Sequence, residues 1–348
     1  MKLSIQRHTL RLAQPLESAY GAVQQREILS VSLTDADGVS GHGEAAPLQA
    51  YDGVSVERVE RALDAYAPVL MDSEGRNGAQ LIDACRGVDD VPVALAAIDL
   101  ALWDRAGRRA GKPVAALLSD DFAQSVPVNA TLSARDRAGA AAQAAQAVAE
   151  GFSCLKVKVG LGDDAGRVAA VRAAAGPETA LRLDANGAWS VDEAVRAIEV
   201  LSTAGLELVE EPTHGLEAVR EVRERVAVRV AIDETAAEHG ALGAGVADAV
   251  CLKISRCGGI SGLIAAATLV RASGAEVYLA STLDGPLGVA AAVHAAAALA
   301  SRWPISDRSV PPCGLATLAL FADFENPLPA REGKITVPAS GGLGVDPL

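Results

Sequence analysis

Five polar pairs recur along the middle of the chain: Lys156-Val-Lys158, Asp184-Ala-Asn186, Glu210-Glu-Pro212, Asp233-Glu234 and Lys253-Ile-Ser255. From Lys158 through Asp184, Glu210 and Asp233 to Lys253 the steps are 26, 26, 23 and 20 residues. Each step is about one strand-helix unit. In a parallel barrel the C-terminal strand ends surround one mouth, so these groups are expected to converge there. Three carboxylates, Asp184, Glu210 and Asp233, are hard oxygen donors that leave coordination positions for water and substrate, which suits Mg²⁺, or Mn²⁺ in its place. Without a cation they would repel one another. Two lysines flank them from opposite sides, a placement suited to acid-base chemistry on either face of a bound substrate.

Strand alternation supports this for most members. Leu155, Val157 and Val159 point away from Lys156 and Lys158, and Lys253, Asp184 and Asp233 likewise oppose apolar neighbours. The fourth strand is the exception: Leu206 and Leu208 share the parity of Glu210, so alternation leaves Glu210 and Glu211 both open. Lys156 and Lys158 lie about 6.6 Å apart by strand rise, and each positive charge disfavours protonation of the other. The expectation is a lowered lysine pKa, as a general base needs. Taken singly, a carboxylate at a strand end is an ordinary helix cap and a Lys-x-Lys strand an ordinary solvated edge. Five such ends in register on consecutive strands are much harder to explain that way.

The elements that must position these residues follow from periodicity. Residues 3–12, 28–34 and 41–45 alternate as strands, and 56–71 and 92–109 carry helical spacing, giving a small α+β unit at the N-terminus. From residue 126 the pattern changes to short apolar strands separated by alanine-rich helices. The strands are predicted at 126–131, 154–159, 180–184, 206–210, 228–233, 249–254 and 276–280, and seven strand-helix units in a row argue for a parallel barrel. The last stretch, around Lys334-Ile-Thr-Val-Pro338, breaks the rhythm and is expected to pack back on the first unit. The boundaries predicted are 1–120, 121–312 and 313–348.

Composition excludes other classes. A net charge of −13 and scattered Lys and Arg leave no footprint for nucleic acid. No apolar run is long enough to span a membrane and the N-terminus lacks a signal-like stretch, so a cytoplasmic protein is expected. The five cysteines form no Cys-x-x-Cys pair, and the five histidines show no ligand spacing, so structural or surface roles are expected for them. The partners expected are a small carboxylate substrate and, if the chain self-associates, its own copies in a homo-oligomer.

At these residues the sequence resembles the enolase superfamily and, within it, the muconate-lactonizing (mandelate racemase/muconate lactonizing enzyme) subgroup, across essentially the whole chain. The resemblance implies a modified TIM barrel, (β/α)7β, under an N-terminal α+β capping domain. It also implies Mg²⁺-dependent abstraction of a proton α to a carboxylate through an enediolate, by a lyase or isomerase. Lys158 and Lys253 would then be the acid-base residues, and Asp184, Glu210 and Asp233 the metal ligands, which settles the fourth strand. Asn186, Glu234 and Lys156 would support them. Loops at Ser18-Ala-Tyr20-Gly21 and Pro47-Leu-Gln-Ala-Tyr51 would close over the barrel and set specificity, against the plainer reading of Tyr20 and Tyr51 as ordinary loop residues.

Departures narrow the choice. Where the mandelate-racemase pattern wants a histidine, the seventh strand ends Ala280-Ser281-Thr-Leu-Asp284. The region taken for the eighth strand reads Ile305-Ser-Asp-Arg308, without the Asp-x-Asp of dipeptide epimerases. Ser281 to Asp284 and Cys313-Gly-Leu-Ala-Thr317 look like o-succinylbenzoate synthases, and muconate cycloisomerases are similar there. Dehydration to o-succinylbenzoate is the leading expectation, with cycloisomerization or epimerization as alternatives. Two other classes are weaker. A glycoside hydrolase using Glu210 and Asp233 would leave the lysines idle, and a non-catalytic binding protein would not need a full ligand set.

Overall fold

The computed structural model describes residues 1–18, 21–302, 311–322 and 324–348. Strands β1 (Lys2–Ser18) and β2 (Gly21–Thr34) pair antiparallel, with a register irregularity between Arg11 and Leu16, and β3 (Ser40–Ala45) lies on the other edge of β2. β1 and β2 run past the predicted strands as a two-stranded arm. Beyond Arg11 and Gln25 the side chains are mostly exposed, so main-chain pairing extends the arm where no buried face marks it in the sequence.

Four helices follow: α1 (Gln49–Asp52), α2 (Val56–Met71), α3 (Gly78–Val88) and α4 (Pro92–Ala110). Their ends are chemically marked. Ser55 accepts from Arg58 N at the start of α2, Asn77 and Gln80 form a reciprocal capping box on α3, and Pro92 opens α4, where no backbone donor is needed. A cap of this kind is worth about 1 kcal/mol. Helix α4 lies so close to β3 that a Cβ on Gly43 would stand 2.0 Å from Ala97 O, and one on Gly41 2.0 Å from Ala101 O. Only glycine permits that approach. The layer between encloses Leu29, Val31, Leu33, Leu63, Tyr66 and Ile98.

Helix α5 (Val114–Leu118) leads to β4 (Ser125–Pro127) and β5 (Ala130–Leu132). Alternating helices and strands follow: α6 (Arg137–Ala149), β6 (Cys154–Lys158), α7 (Asp164–Ala175), β7 (Ala180–Asp184), α8 (Val191–Leu201), β8 (Leu208–Glu210) and α9 (Leu216–Arg225). The series ends with β9 (Val230–Ile232), β10 (Ala249–Leu252), α10 (Ile260–Ala272), β11 (Glu276–Leu279) and α11 (Pro286–Arg302). β5 to β11 form one parallel seven-stranded sheet in chain order, curled into the expected barrel beneath the N-terminal antiparallel sheet. None of the helices is long and apolar enough to cross a membrane, among the described residues.

Two details differ from expectation. The strand predicted at 126–131 is split: β4 pairs antiparallel with β12 (Lys334–Thr336), and only β5 enters the barrel. Cys313 and Gly314 bridge the two edges of the barrel sheet; residues 305–308, where the eighth strand was expected, lie outside the described residues. Cys313 N donates to Pro127 O, Asn129 N to Cys313 O, Gly314 N to Leu279 O and Ser281 N to Gly314 O. Two residues that barely form a strand carry no periodicity to read. The C-terminal stretch also reaches α4, where Leu343 N donates to Asp104 Oδ1.

Candidate active site in the barrel mouth

Parity along the strands divides the barrel residues in two. Leu155, Val157, Leu183, Val209, Ile232 and Leu252 pack outward in the main core, whereas Leu208, Ala231, Ala249, Cys251, Tyr278 and Ala280 form a separate small cluster inside. Leu208 is therefore an inward residue at the barrel floor, and Glu210, two residues on, points into the mouth. Its neighbour Glu211 faces the other way. Glu211 accepts from Asp233 N, Thr235 N and Thr235 Oγ1 and contacts His214 Nδ1, at a φ of 40°. It organises the loop after β9, and His214 is tied to it.

Register aligns Lys158 with Asp184 and Asp184 with Glu210. All three carboxylates are buried, with exposures of 1% at Asp184, 0% at Glu210 and 5% at Asp233. Lys156 Nζ lies between two of them, 2.9 Å from Asp184 Oδ2 and 2.8 Å from Glu210 Oε1. Lys158 Nζ donates to Asp184 Oδ2 at 2.6 Å and Asn186 Oδ1 at 2.7 Å. Across the mouth, Lys253 Nζ is held by Asp233 Oδ2 and by Tyr51 Oη, the latter at 2.7 Å. Asn186, at a φ of 45°, donates to Glu234 Oε1 at 3.0 Å, which joins the ends of β7 and β9 across the intervening β8. Glu234 Oε2 is buried without a partner.

The electrostatics follow from burial and these contacts. Burial opposes the charge on Lys156, but Asp184 and Glu210 outweigh it and raise its pKa. That reverses the expected direction for this lysine, because the carboxylates are closer than the second lysine. Lys253 is likewise raised well above its ordinary value: burial opposes its charge, and Asp233 and then Tyr51 outweigh it. Asp184 is held low against burial by Lys156 and Lys158. Burial raises Glu210, and it lifts Glu234 to about 7 with help from Asp233 and Asp184.

Glu210, Asp233 and Cys251 each bring a potential ligand atom within 4.8 Å of the others. Burial keeps the Cys251 thiol protonated, its pKa well above the ordinary value, so the available donors are carboxylate oxygens. Asp184 is the third carboxylate beside them, turned toward two ammonium groups. Lys156, bridging Asp184 and Glu210, places positive charge where acidic oxygens converge, and a hard divalent cation fits the same donor set.

The other residues named from the sequence separate. Tyr51 and Ser281 line the pocket beside the lysines and carboxylates, a cavity of about 120 Å³. Asp284 does not: it is buried against its own loop, accepting from Thr282 N, Thr282 Oγ1 and, through its backbone, bonding Ser281 Oγ. A carboxylate after a strand end serves a tight turn as readily as a ligand. Tyr20 lies outside the described residues. Sequence reading missed the support beneath the site. Tyr278 Oη donates to Glu210 Oε2 at 2.8 Å, and Arg182, 2% exposed, stacks on the Tyr278 ring at 4.9 Å while its Nε donates to Glu207. The inward parity of Arg182 with Asp184 was the available signal. A larger cavity, about 950 Å³, lies away from this mouth beside Met71 and Trp103, and none of the catalytic candidates lines it.

Comparison with known proteins assigns the family. Residues 1–119 match the mandelate racemase/muconate lactonizing enzyme N-terminal domain, and residues 139–348 match the enolase C-terminal domain-like family. Muconate cycloisomerase 1 of Rhodococcus opacus is 31% identical over 96% of this chain and 92% of its own. L-Ala-D/L-Glu epimerase of Clostridium acetobutylicum is 32% identical over 82% of this chain and 83% of its own. Among solved structures, 2-chloromuconate cycloisomerase from Rhodococcus opacus superposes with a TM-score of 0.88 at 28% identity, covering 99% and 96% of the two chains. The dipeptide epimerase of Enterococcus faecalis, solved with Mg and the dipeptide L-Leu-L-Tyr, gives 0.87 at 25% identity, covering 99% and 98%. The chain thus belongs to the mandelate racemase/muconate lactonizing enzyme subgroup of the enolase superfamily.

Proposed function

We propose that Asp184, Glu210 and Asp233 hold a divalent cation, Mg²⁺ or in its place Mn²⁺, and that Lys158 and Lys253 move protons at the carbon next to a substrate carboxylate. When bound, the cation would neutralise the carboxylate and so acidify that carbon. The observation that carries this reading is the opposition of the two lysines across three buried carboxylates at one barrel mouth. Lys156 adds fixed positive charge, and Asn186 and Glu234 keep the strand ends in place. Lys253, clamped between Asp233 and Tyr51 and strongly favouring its charged form, is suited to donate a proton or to stand as a fixed cation.

Within that class we favour dehydration of a cyclohexadiene carboxylate to o-succinylbenzoate. At the segment that closes the barrel, Gly314 and Thr317 line the pocket, and no carboxylate lies between them to receive a substrate ammonium group. A syn dehydration needs one proton carrier on one face, leaving Lys253 as the fixed charge. Muconate lactonization is the second reading, favoured by the similarity to cycloisomerases. Purified protein with Mg²⁺ should be offered the dehydration precursor, cis,cis-muconate and a dipeptide panel, comparing kcat/KM. Efficient lactonization or epimerization without dehydration would reject the favoured reaction and leave the cation and lysine roles standing.

A further inference from the structure

A second space adjoins the small catalytic pocket. This cavity, of about 350 Å³, lies between the β1 arm, the start of β5, α6 and the residues after the barrel closure. Leu16, Thr131, Gly314, Thr317 and Leu320 line both spaces, so the two adjoin along a shared wall of these residues. The second cavity carries little charge. Its one charged lining residue among those described is Glu150, which is exposed and accepts from Gln146 Nε2.

Two polar atoms in this wall are unusual. Asn129 is 3% exposed, and its side-chain Nδ2 is buried with no hydrogen-bond partner; Thr317 Oγ1 is buried and equally unpartnered. Leaving such a group unpaired is destabilising, and nearby polar groups do not relieve it. Gln143 Oε1, for instance, is already taken by Ser133 N and Ala134 N. Gly314 brings no side chain against the amide. A Cβ there would stand 3.6 Å from Asn129 Oδ1, and any larger side chain would roof it over.

We infer that this second cavity is a distal subsite for the tail of the carboxylate substrate, in which Asn129 and Thr317 hydrogen-bond an uncharged acceptor such as a ketone, ester or amide carbonyl. The inference rests on the carboxylate head lying at the lysines, as proposed above, and deepens that reading by assigning the tail. A carbonyl oxygen can accept from Asn129 Nδ2 and from the Thr317 hydroxyl, relieving both orphans. A tail ammonium or carboxylate placed at Asn129 would find no opposite charge in the described wall. Asn129 and Thr317 would therefore be specificity-determining residues.

The test is calorimetric binding of 4-oxo-4-phenylbutanoate and 4-phenylbutanoate, which differ by one carbonyl oxygen, to the Mg²⁺-loaded protein. The expected result is that the keto acid binds about tenfold tighter, the worth of one hydrogen bond to an otherwise unpaired buried donor. In Asn129→Leu that preference should shrink to less than about threefold, while 4-phenylbutanoate binds as before. Thr317→Val should reduce the preference partly, and it carries the test if Asn129→Leu does not fold. A merely structural Asn129 would change both affinities together. Equal affinities in the wild type, no binding of either acid at millimolar concentration, or an undiminished preference in both variants would overturn the subsite. Binding of 4-phenylbutanoate with and without Mg²⁺ reports on the head group alone, so failure of the cation reading is seen separately.

Discussion

Tyr51 and Asp233, 182 residues apart in sequence, share a hydrogen bond of 2.8 Å across the boundary between the N-terminal unit and the barrel. The tyrosine oxygen also accepts from Lys253 Nζ, and its ring lies 4.2 Å beneath the same ammonium. One side chain from α1 thereby orients a proposed ligand and a proposed proton carrier. Tyr51→Phe should keep the fold and the ring contact but lower kcat about tenfold or more, since Lys253 loses a partner in a buried setting. Steady-state kinetics beside a thermal melt will show it; unchanged kcat would mean that the hydrogen bonds do not matter to turnover.

The carboxylate cluster implies a second outcome. Exhaustive chelation should abolish turnover, Mg²⁺ should restore it, and Asp184→Asn should weaken cation binding by at least about tenfold with little change in melting temperature. Full turnover with no residual metal by elemental analysis would contradict the assignment.

The two lysines should separate by isotope exchange. Lys158→Ala is expected to stop exchange of the substrate α-proton with D₂O while the cation still binds. If dehydration is the reaction, Lys253→Ala should retain that exchange at a reduced rate. If both faces must be served, as in racemization, it should lose inversion entirely. Wild-type exchange in Lys158→Ala would move the base elsewhere.

A fourth expectation concerns pH and stability. Glu44, on β3, is buried against the start of α11, accepting from Leu287 N at 3.0 Å. Burial, then Asp284, pushes its pKa from 4.5 up to about 8. Below pH 4.5 the folded and unfolded chains both carry the proton; between about 4.5 and about 8 only the folded chain keeps it. Its contribution to stability is thus full below 4.5 and is lost as pH rises through 8, with each tenfold difference in proton affinity worth about 1.4 kcal/mol. Glu44→Gln should flatten the fall in urea midpoint between pH 5 and pH 9. Parallel slopes for variant and wild type would count against a buried neutral Glu44.

The regular parts of this molecule were legible because each has a period. Strand-helix spacing carried the barrel, and inward parity carried Lys156, Lys158, Asp184, Asp233 and Lys253 into one mouth. Glu210 was not separable from Glu211 that way, because Leu208 is itself an interior residue and periodicity does not distinguish an apolar barrel floor from an apolar outer face. The barrel closure at Cys313 and Gly314 was hidden for another reason: it is made by main-chain bonds, which leave no side-chain pattern. The direction at Lys156 depended on distances to Asp184 and Glu210 that no spacing rule supplies, and the turn that Asp284 serves through Thr282 and Ser281 has no period to read.

The closure itself bears on how such a protein can change. Cys313 and Gly314 are joined to their neighbours by backbone groups, and Arg182 holds the preceding Pro312 carbonyl from the barrel floor at 2.7 Å. None of these bonds uses a side chain of residues 315–317, although Thr317 lines the pocket and Ala316 the cavity beyond it. Mutational drift at 316 and 317 can therefore retune which molecule is accepted without reopening the barrel, and a library confined to those two positions should yield altered preference at nearly constant melting temperature.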